Sequence, residues 1–335
     1  MNKYIYLLSA MLLAPVAAAE QSLNIYSFRQ AELIAPLVEK FEQQHNIDVN
    51  VVSGKADKIM SRLIEDGDDS FADLLLTSNV LRLERAKKEN LIQAVESKTL
   101  TDVIPKELRD PEGYWFGLSV RARTIFYAKD RVNPKLVNSY QDLSDPKWQG
   151  KICTRKGSHL YNQSLLASFI HRYGQAWSDQ WVKSIVGNLA LRPAGGDRDQ
   201  LRNISRGVCD LAIVNSYYYG MLSSSDSLRD KQAYEDVGIL WPNQTKGGTH
   251  VNISAAAVTR AAKNKQAAIT FIEFLVESEI QMIYADINYE YPVRADLTPN
   301  AMLTKWGDFI ADKASVTQLH NHQQAAKGLI EKYNW

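Results

Sequence analysis

Apolar residues along the chain recur with a period of two in some segments and with helical spacing in others. Residues 22–26 alternate as a half-buried strand does, and residues 30–44 carry five apolar side chains at helical spacing. A strand at 47–52, a helix at 57–65 and a buried strand at 72–77 follow. Because strands separated by helices pair in parallel through right-handed crossovers, this part predicts an α/β unit.

A second strand-and-helix pattern begins after the turn at residues 145–150. It predicts a strand at 151–155, helices at 164–173 and 175–189, and a buried strand at 209–214. The last strand leads into three consecutive tyrosines, which the pattern places in a loop.

Three long segments complete the pattern. Residues 249–259 predict a strand that returns the chain to the first unit, and residues 265–283 predict one apolar helix. A last helix is expected at 316–333, with Ser315 as its N-cap.

Two α/β units joined by several chain crossings predict a hinged architecture of two lobes. We assign residues 20–121 and about 246–295 to an N-terminal lobe, and residues 122–245 and about 296–335 to a C-terminal lobe. A chain of this length is expected to form two domains rather than one.

The N-terminus is typical of a secretory signal peptide at residues 1–19. Lys3 precedes an apolar run that ends at Val16, and Ala17–Ala19 offer a cleavage site before Glu20. No later run reaches the roughly 18 uninterrupted apolar residues of a spanning helix. We therefore expect a periplasmic protein that is not embedded in the membrane.

Charge and cysteine content narrow the partners and the compartment further. The chain has 39 basic and 38 acidic residues, and loss of Lys3 with the signal peptide leaves them balanced, which disfavours nucleic acid as a partner. Cys153 and Cys209 are an even pair in an exported chain and favour one disulfide. A metal–thiolate site is the alternative, although no Cys-x-x-Cys motif supports it.

The tyrosine triplet 217–219 is the first candidate for chemistry. It follows a buried strand, and α/β sheets expose their ligand sites at strand ends. Ionised phenols are hard anionic donors that suit a small, highly charged cation such as ferric iron, whereas aromatic packing is the alternative interpretation.

Two other features could hold an anion. Ser158 is positioned as the N-cap of a helix whose N-terminus would attract an anion, with Tyr161 one turn further on. Arg121 and Arg123 share one face of a strand at 119–127, and arginine binds carbonate or phosphate through its planar fork. The alternatives are an ordinary capped helix and surface salt bridges.

Enzymatic motifs are missing from the sequence. It contains no Gly-x-Ser-x-Gly, no His-Glu-x-x-His and no glycine-rich phosphate loop, so we expect a protein that is not an enzyme. Residues 195–199 (Gly-Gly-Asp-Arg-Asp) predict a helix start in which Asp197 is a structural cap.

Together, these segments resemble the ferric-ion-binding proteins of bacterial ABC iron-uptake transporters, which have the type II periplasmic-binding-protein fold. The resemblance covers essentially the whole mature chain. The matching segments are residues 26–30 (YSFRQ), 72–77 (ADLLLT), 115–123 (WFGLSVRAR), 195–199 (GGDRD), 215–220 (NSYYYG) and 248–254 (GTHVNIS).

The resemblance implies a ligand set and a biological role. Tyr217 and Tyr218 would be paired ligands of Fe(III), and Tyr161 would add a third phenolate. A synergistic anion such as carbonate or bicarbonate would bind the remaining candidates, which are Arg123, Arg121 and Ser158. A monomeric protein would then deliver iron from an interlobe cleft to an inner-membrane ABC permease.

The chain also departs from the family pattern. Many relatives have a histidine where this chain has Gln30, and a glutamate where it has Thr77-Ser-Asn79. The departures imply that tyrosines of one lobe do most of the binding, with Tyr26, Gln30 and Asn215 as weaker cleft contacts and Tyr219 as a packing residue. The competing hypotheses are the same fold binding a phosphate ester, thiamine or a polyamine, and an exported hydrolase without a familiar motif.

Overall fold

The computed structural model describes residues 22–29, 31–314 and 316–335. The predicted signal peptide, Gln30 and the predicted N-cap Ser315 lie outside these residues. Among the residues described, no helix combines the length and apolar character that crossing a membrane requires.

Strands and helices alternate much as the sequence predicts. The strands are β1 (Ser22–Ser27), β2 (Asp48–Ser53), β3 (Leu74–Thr77), β4 (Phe116–Ala128), β5 (Ile152–Thr154), β6 (Leu211–Asn215), β7 (Val237–Leu240), β8 (Val251–Val258) and β9 (Tyr291–Pro292). The helices are α1 (Ala35–His45), α2 (Ala56–Asp66), α3 (Leu81–Lys88), α4 (Lys98–Val103), α5 (Leu160–Tyr173), α6 (Gln175–Gly187), α7 (Asp197–Ser205), α8 (Tyr217–Ser223), α9 (Leu228–Asp236), α10 (Lys265–Leu275), α11 (Ser278–Asn288), α12 (Ala301–Lys305), α13 (Val316–Asn321) and α14 (Gln323–Tyr333).

The strands form a mixed sheet with the order β2-β1-β3-β8-β4-β6-β5, and β7 and β9 also pair with β4. β1 is parallel to both β2 and β3, which confirms the predicted parallel pairing in the N-terminal unit. β5 and β6 are parallel in the second unit. The antiparallel strand β8 joins β3 to β4, so the chain does return to the first unit.

The long strand β4 belongs to both units. Its first part pairs with β8, where Arg121 lies opposite Asn252. From Arg123 onward it pairs with β6, where Arg123 lies opposite Asn215. The two arginines therefore lie on either side of the point at which β4 changes its partner.

Buried apolar side chains fill each unit. Phe41 of α1 packs edge-on against Phe271 of α10 with ring centroids 4.8 Å apart, which fixes helices over the N-terminal part of the sheet. In the second unit, Phe169 packs against Trp181 at 4.8 Å. The Cys153–Cys209 disulfide joins β5 to the segment before β6, with Cα atoms 5.8 Å apart, and confirms the predicted pairing.

Two predicted helices are each divided in the structure. The segment 265–283 forms α10 and α11, because Glu277 is extended and Gln281 donates from its side chain to the carbonyl of Leu275, satisfying the end of α10. The segment 316–333 forms α13 and α14. Neither break contains a proline or a glycine, so the sequence offers no strong signal for either of them.

Candidate metal and anion site

The tyrosine triplet starts a helix rather than a loop, so the sequence prediction was wrong on this point. Helix α8 begins at Tyr217, directly after the buried strand β6. Two hydrogen bonds between Ser216 and Ala122 attach the start of α8 to β4. The Ser216 hydroxyl accepts from the Ala122 amide at 3.2 Å, and the Ser216 amide donates to the Ala122 carbonyl at 2.8 Å. The orientation of α8 is therefore set by β4.

A close contact holds the other side of α8. A Cβ atom at Gly220 would lie 2.4 Å from Cγ of Tyr289, so only glycine lets that ring pack against the helix. Tyr289 itself has a left-handed backbone conformation, with φ of 55°. The segment after α11 therefore contacts the helix that carries the tyrosines.

Three phenols converge in a cleft of about 210 Å³. The rings of Tyr217 and Tyr218 have centroids 4.1 Å apart. Tyr161 lies in the first turn of α5, and its hydroxyl oxygen is 3.4 Å from that of Tyr217. The sequence-predicted tyrosines thus lie together, although 56 residues separate Tyr161 from Tyr217 along the chain.

Burial keeps the two α8 phenols protonated. Burial and the neighbouring Tyr161 and Tyr218 raise the pKa of Tyr217 well above its ordinary value. Burial, followed by Tyr161 and the carboxylate of Asp197, raises the pKa of Tyr218 to about 12. Both groups therefore need a strong local cation before they ionise near neutral pH.

Of the two arginines of β4, Arg121 is the one that lines this cleft. Its side chain is buried, and its Nη1 donates to the Ser254 hydroxyl at 2.6 Å. Its Nε and Nη2 have no hydrogen-bond partner among the residues the structure describes. The guanidinium carbon is 5.8 Å from the ring centroids of both Tyr161 and Tyr217. Buried donors without partners beside the phenols are suited to bind an anion.

Arg123 has a different position from the one expected for the leading anion ligand. Its guanidinium donates to Asp197 at 2.7 Å, to Asn162 at 2.7 and 3.1 Å, and to Asn215 at 3.1 Å. Asp197 also accepts a hydrogen bond from Arg155 at 3.0 Å. It is not the N-cap of α7, because that position is occupied by Gly196. Arg123 therefore supports the wall behind the tyrosines and does not line the cleft.

The expected role of Ser158 as a helix cap was wrong. The N-cap of α5 is His159, whose Nδ1 accepts from the amide of Tyr161 at 3.3 Å. Ser158 is exposed, and it is not among the described residues that line the cleft. An imidazole can replace the hydroxyl cap because its ring nitrogen is also an acceptor.

The weaker candidates lie behind the cleft or outside the described residues. Asn215 is buried beneath Arg123, and Tyr26 is buried with its ring 5.1 Å from that of Phe71. Gln30 is outside the described residues. Tyr219 packs as predicted, with its hydroxyl donating to the Val237 carbonyl at 2.7 Å.

A buried ion pair that was not predicted from the sequence lies at the floor of the cleft. Arg29 binds Glu290 through Nη2 at 2.8 Å, and Glu290 also accepts from the hydroxyls of Ser119 and Ser254. Burial alone would raise the pKa of Glu290, but Arg29 and Arg121 outweigh it and lower the pKa to about 2. Arg29 falls within the matching segment 26–30 and could have been found there. Glu290 has no local sequence signal.

The structure offers few other ligands for a cation. In the described part of the chain, no group of three or more His, Cys, Asp or Glu side chains is arranged to hold a metal ion. The three phenols of the cleft are therefore the best candidates for metal ligands in the described part of the chain.

A two-lobed α/β fold with a small polar cleft defines a solute-binding protein. Residues 69–308 match the model of the bacterial extracellular solute-binding protein family, and the chain belongs to this family. It is 39% identical over 325 residues to iron uptake protein A1 of Synechocystis sp., covering 96% of this chain and 90% of that protein.

Solved structures show the same fold. The Trichodesmium protein IdiA (FutA), in complex with iron and citrate ligands, has a TM-score of 0.90 and 38% identity, covering 94% of this chain and 99% of that one. The ferric binding protein from Campylobacter jejuni has a TM-score of 0.88 and 36% identity, covering 93% and 99%. These relatives confirm the predicted fold class and the prediction that the protein is a binding protein rather than an enzyme.

Proposed function

We propose that the protein captures Fe(III) in the periplasm with the phenolates of Tyr161, Tyr217 and Tyr218. The observation that carries the proposal is the convergence of these three phenols in one cleft beside the unpartnered donors of Arg121. The names of the relatives, which include an iron uptake protein and a ferric binding protein, support the choice of iron.

The charges favour the oxidised metal. Three phenolates neutralise the three positive charges of Fe(III), so the filled site adds no net charge to a buried wall. Fe(II) carries less charge and offsets less of the cost of ionising phenols whose pKa values are raised. Tight binding is therefore expected for the ferric ion alone.

An anion completes the coordination of the metal in this proposal. Arg121 would hold a carbonate or bicarbonate through Nε and Nη2, the two nitrogens without partners among the described residues. Arg123 would act indirectly, because its ion pair with Asp197 fixes the wall that carries the tyrosines. The anion would thus link the metal to Arg121, which lies near the point where β4 changes its partner.

We further propose that β4 and β8 act as the hinge of a monomer that delivers iron to an inner-membrane ABC permease. The lobe boundaries would follow those assigned from the sequence, with the first crossing in β4 at residues 121–122. The change of partner in β4, from β8 to β6, supports this position.

The cleft also bears on the competing ligands. Polyamines and thiamine are cations, and the described residues that line the cleft include Arg29, Arg121 and Arg198 but only one carboxylate, Glu290. A volume of about 210 Å³ is also below the roughly 300 Å³ at which sites for larger organic ligands begin. A phosphate ester is an anion, so among the competing ligands it is the one that the positive charge of the cleft does not disfavour.

A titration with a ferric chelate in bicarbonate buffer tests the proposal. The purified protein should develop a visible phenolate-to-iron charge-transfer band that saturates at one iron per chain. Tyr161→Phe should weaken or shift the band, whereas Tyr219→Phe should leave it unchanged because Tyr219 packs in the core. A colourless protein that retains no iron, or one stabilised only by phosphate esters in a thermal-shift screen, would exclude the ferric site.

A further inference from the structure

We propose that His250 is a positioning residue for the third phenolate, because its imidazole attaches helix α5, which carries Tyr161, to the start of strand β8. His250 lies in the segment 248–254 (GTHVNIS), which resembles the family but contributes nothing to the proposed ligand set. The inference rests on the proposed ferric site, since it concerns the placement of one ligand of that site. It gives a function to a buried histidine that lies outside the proposed metal and anion ligands.

The imidazole of His250 bonds directly to helix α5. Its Nε2 lies 2.9 Å from the hydroxyl oxygen of Ser164, and both side chains are buried. Ser164 follows Tyr161 by three residues, so the two side chains lie on neighbouring turns of one helix face. The contact therefore holds the part of α5 from which Tyr161 reaches the cleft.

The backbone of His250 is itself held on both sides. Its carbonyl accepts a hydrogen bond from the Arg123 amide at 2.9 Å, which continues the pairing of β4 with β8. Its amide donates to the Tyr140 hydroxyl at 3.1 Å, and this hydroxyl in turn donates to the Arg123 carbonyl. Since both backbone groups are paired, His250 is a fixed point to which α5 can be attached.

The imidazole is also neutral. Burial, together with the nearby charge of Arg123, lowers the pKa of His250 to about 3. A neutral ring has one donor nitrogen and one acceptor nitrogen, so either tautomer can form a hydrogen bond with the serine hydroxyl. The contact thus adds no charge to a wall that already contains the ion pair of Arg123 with Asp197.

A second attachment of α5 shows why the contact with His250 matters. Asn162, which directly follows Tyr161, accepts from Arg123 of β4 through Oδ1 at 2.7 and 3.1 Å. This attachment alone would let the first turns of the helix pivot about one point. The contact of Ser164 with His250, two residues further along the helix, removes that freedom and fixes the direction of the phenol.

The phenols of α8 are attached to the same pair of strands. Ser216, at the start of α8, bonds to Ala122 of β4. Ala122 lies opposite Val251, which directly follows His250 in the sequence. The spacing between Tyr161 and the phenols of α8 therefore depends on contacts at neighbouring positions of β4 and β8, which are the strands proposed as the hinge.

Removal of the contact from either side tests the inference. His250→Leu and Ser164→Ala should each lower the affinity for Fe(III) by about 10–100-fold, which is the usual effect of losing a group that orients a metal ligand. The affinity is measured in bicarbonate buffer by competition with nitrilotriacetate. The phenolate-to-iron charge-transfer band should also shift, because the oxygen of Tyr161 would meet the metal in a different geometry.

Two further variants separate positioning from stability. His250→Gln retains a nitrogen donor near the position of Nε2 and should restore most of the affinity and the parent band. Ser168→Ala is the matched control on the same helix, because this buried hydroxyl donates to the Leu165 carbonyl of α5 itself. It should change neither the affinity nor the band. Urea denaturation of each metal-free variant measures the stability separately.

A double-mutant cycle with Tyr161→Phe identifies the ligand through which His250 acts. In the parent protein His250→Leu should lower the affinity, whereas in the Tyr161→Phe background the same change should have less than about a twofold effect. Equal losses in the two backgrounds would show that His250 does not act through Tyr161 and would refute the inference. If His250→Leu does not fold, the cycle is measured with Ser164→Ala, which makes a smaller change.

The outcomes distinguish this inference from the ferric site itself. A parent protein that binds no iron would refute the proposed function and the inference together. Iron binding that neither His250→Leu nor Ser164→Ala weakens would refute the positioning role and leave the ferric site intact. A loss of affinity that Ser168→Ala reproduces would also refute it, because the effect would then reflect the general stability of α5.

Discussion

Iron binding by this site should release protons, and the number released should fall by one in Tyr218→Phe. The prediction follows from the burial of Tyr217 and Tyr218, which raises the pKa of both phenols and keeps them neutral in the metal-free protein. Each tyrosine that becomes a ligand must therefore transfer its proton to the solvent. The quantity tests the identity of the ligands directly, because it counts ionisations rather than affinity.

The magnitude follows from the pKa of Tyr218, which burial, Tyr161 and Asp197 raise to about 12. A pH of 7 is about five units below that pKa, so the phenol is fully protonated. Its ionisation at this pH costs about 7 kcal/mol, which binding of the metal must supply. Because the pKa is raised, the phenol remains protonated between pH 5 and 9. Affinity should then rise about tenfold per pH unit for each such phenol that ionises.

Calorimetry in several buffers measures the proton count. Ferric nitrilotriacetate is titrated into the protein at one pH in buffers of different ionisation enthalpy, and the slope of the observed enthalpy against that value gives the protons released. Protons taken up by the liberated chelator are measured separately and subtracted. Tyr219→Phe is the matched control, because it removes a phenol of the same triplet that packs against Val237.

The control variant should release as many protons as the parent protein, even if the lost hydrogen bond costs about 1 kcal/mol of stability. Equal counts for the parent and Tyr218→Phe would refute the assignment of Tyr218 as a ligand. A charge-transfer band that forms without any proton release would refute the conclusion that the phenols are neutral before the metal binds.

Three further changes should alter stability in ways set by the contacts described. Asp197→Ala leaves the buried Arg123 and the half-buried Arg155 without their shared carboxylate and should lower the free energy of unfolding by about 3–5 kcal/mol in urea denaturation, and a loss below 1 kcal/mol would contradict the ion-pair account. Gly220→Ala should cost about 1–3 kcal/mol by overlap with the ring of Tyr289, and Tyr289→Ala should suppress that loss in the double variant. Replacing Cys153 and Cys209 by serine opens a loop of 56 residues and should cost about 4 kcal/mol, measured against the oxidised parent.

The sequence predicts the strands and their pairing better than it predicts the contacts of the candidate site. β1, β2 and β3 carry strong period-two or continuous apolar patterns, and their parallel pairing follows from the helices between them. Helix α8 was missed because tyrosine has modest helix propensity and glycine disrupts helices. Gly220 is needed for a contact with Tyr289, which is distant in sequence and has no local signal.

The two arginines of β4 show a similar limit of prediction from the sequence. Alternation correctly places Arg121 and Arg123 on one face of the strand, but it cannot tell which of them faces the cleft. That difference arises from partners on other elements, since Asp197 of α7 binds Arg123 whereas Arg121 retains unpartnered donors. Likewise, the tyrosines could be selected by residue type, while Glu290 could be identified only after folding had brought it to Arg29.

The consecutive residues Tyr289 and Glu290 have a consequence for transplanting this site. Tyr289 packs against Gly220 of the tyrosine helix, while Glu290 holds Arg29 and Arg121 at the floor of the cleft. This dipeptide, which lies outside the proposed ligand set, thus links the helix of the phenols to the guanidinium groups. A designer who copied only the tyrosines and arginines onto another scaffold would lose that link, so the smallest portable unit of the site must include residues 289–290.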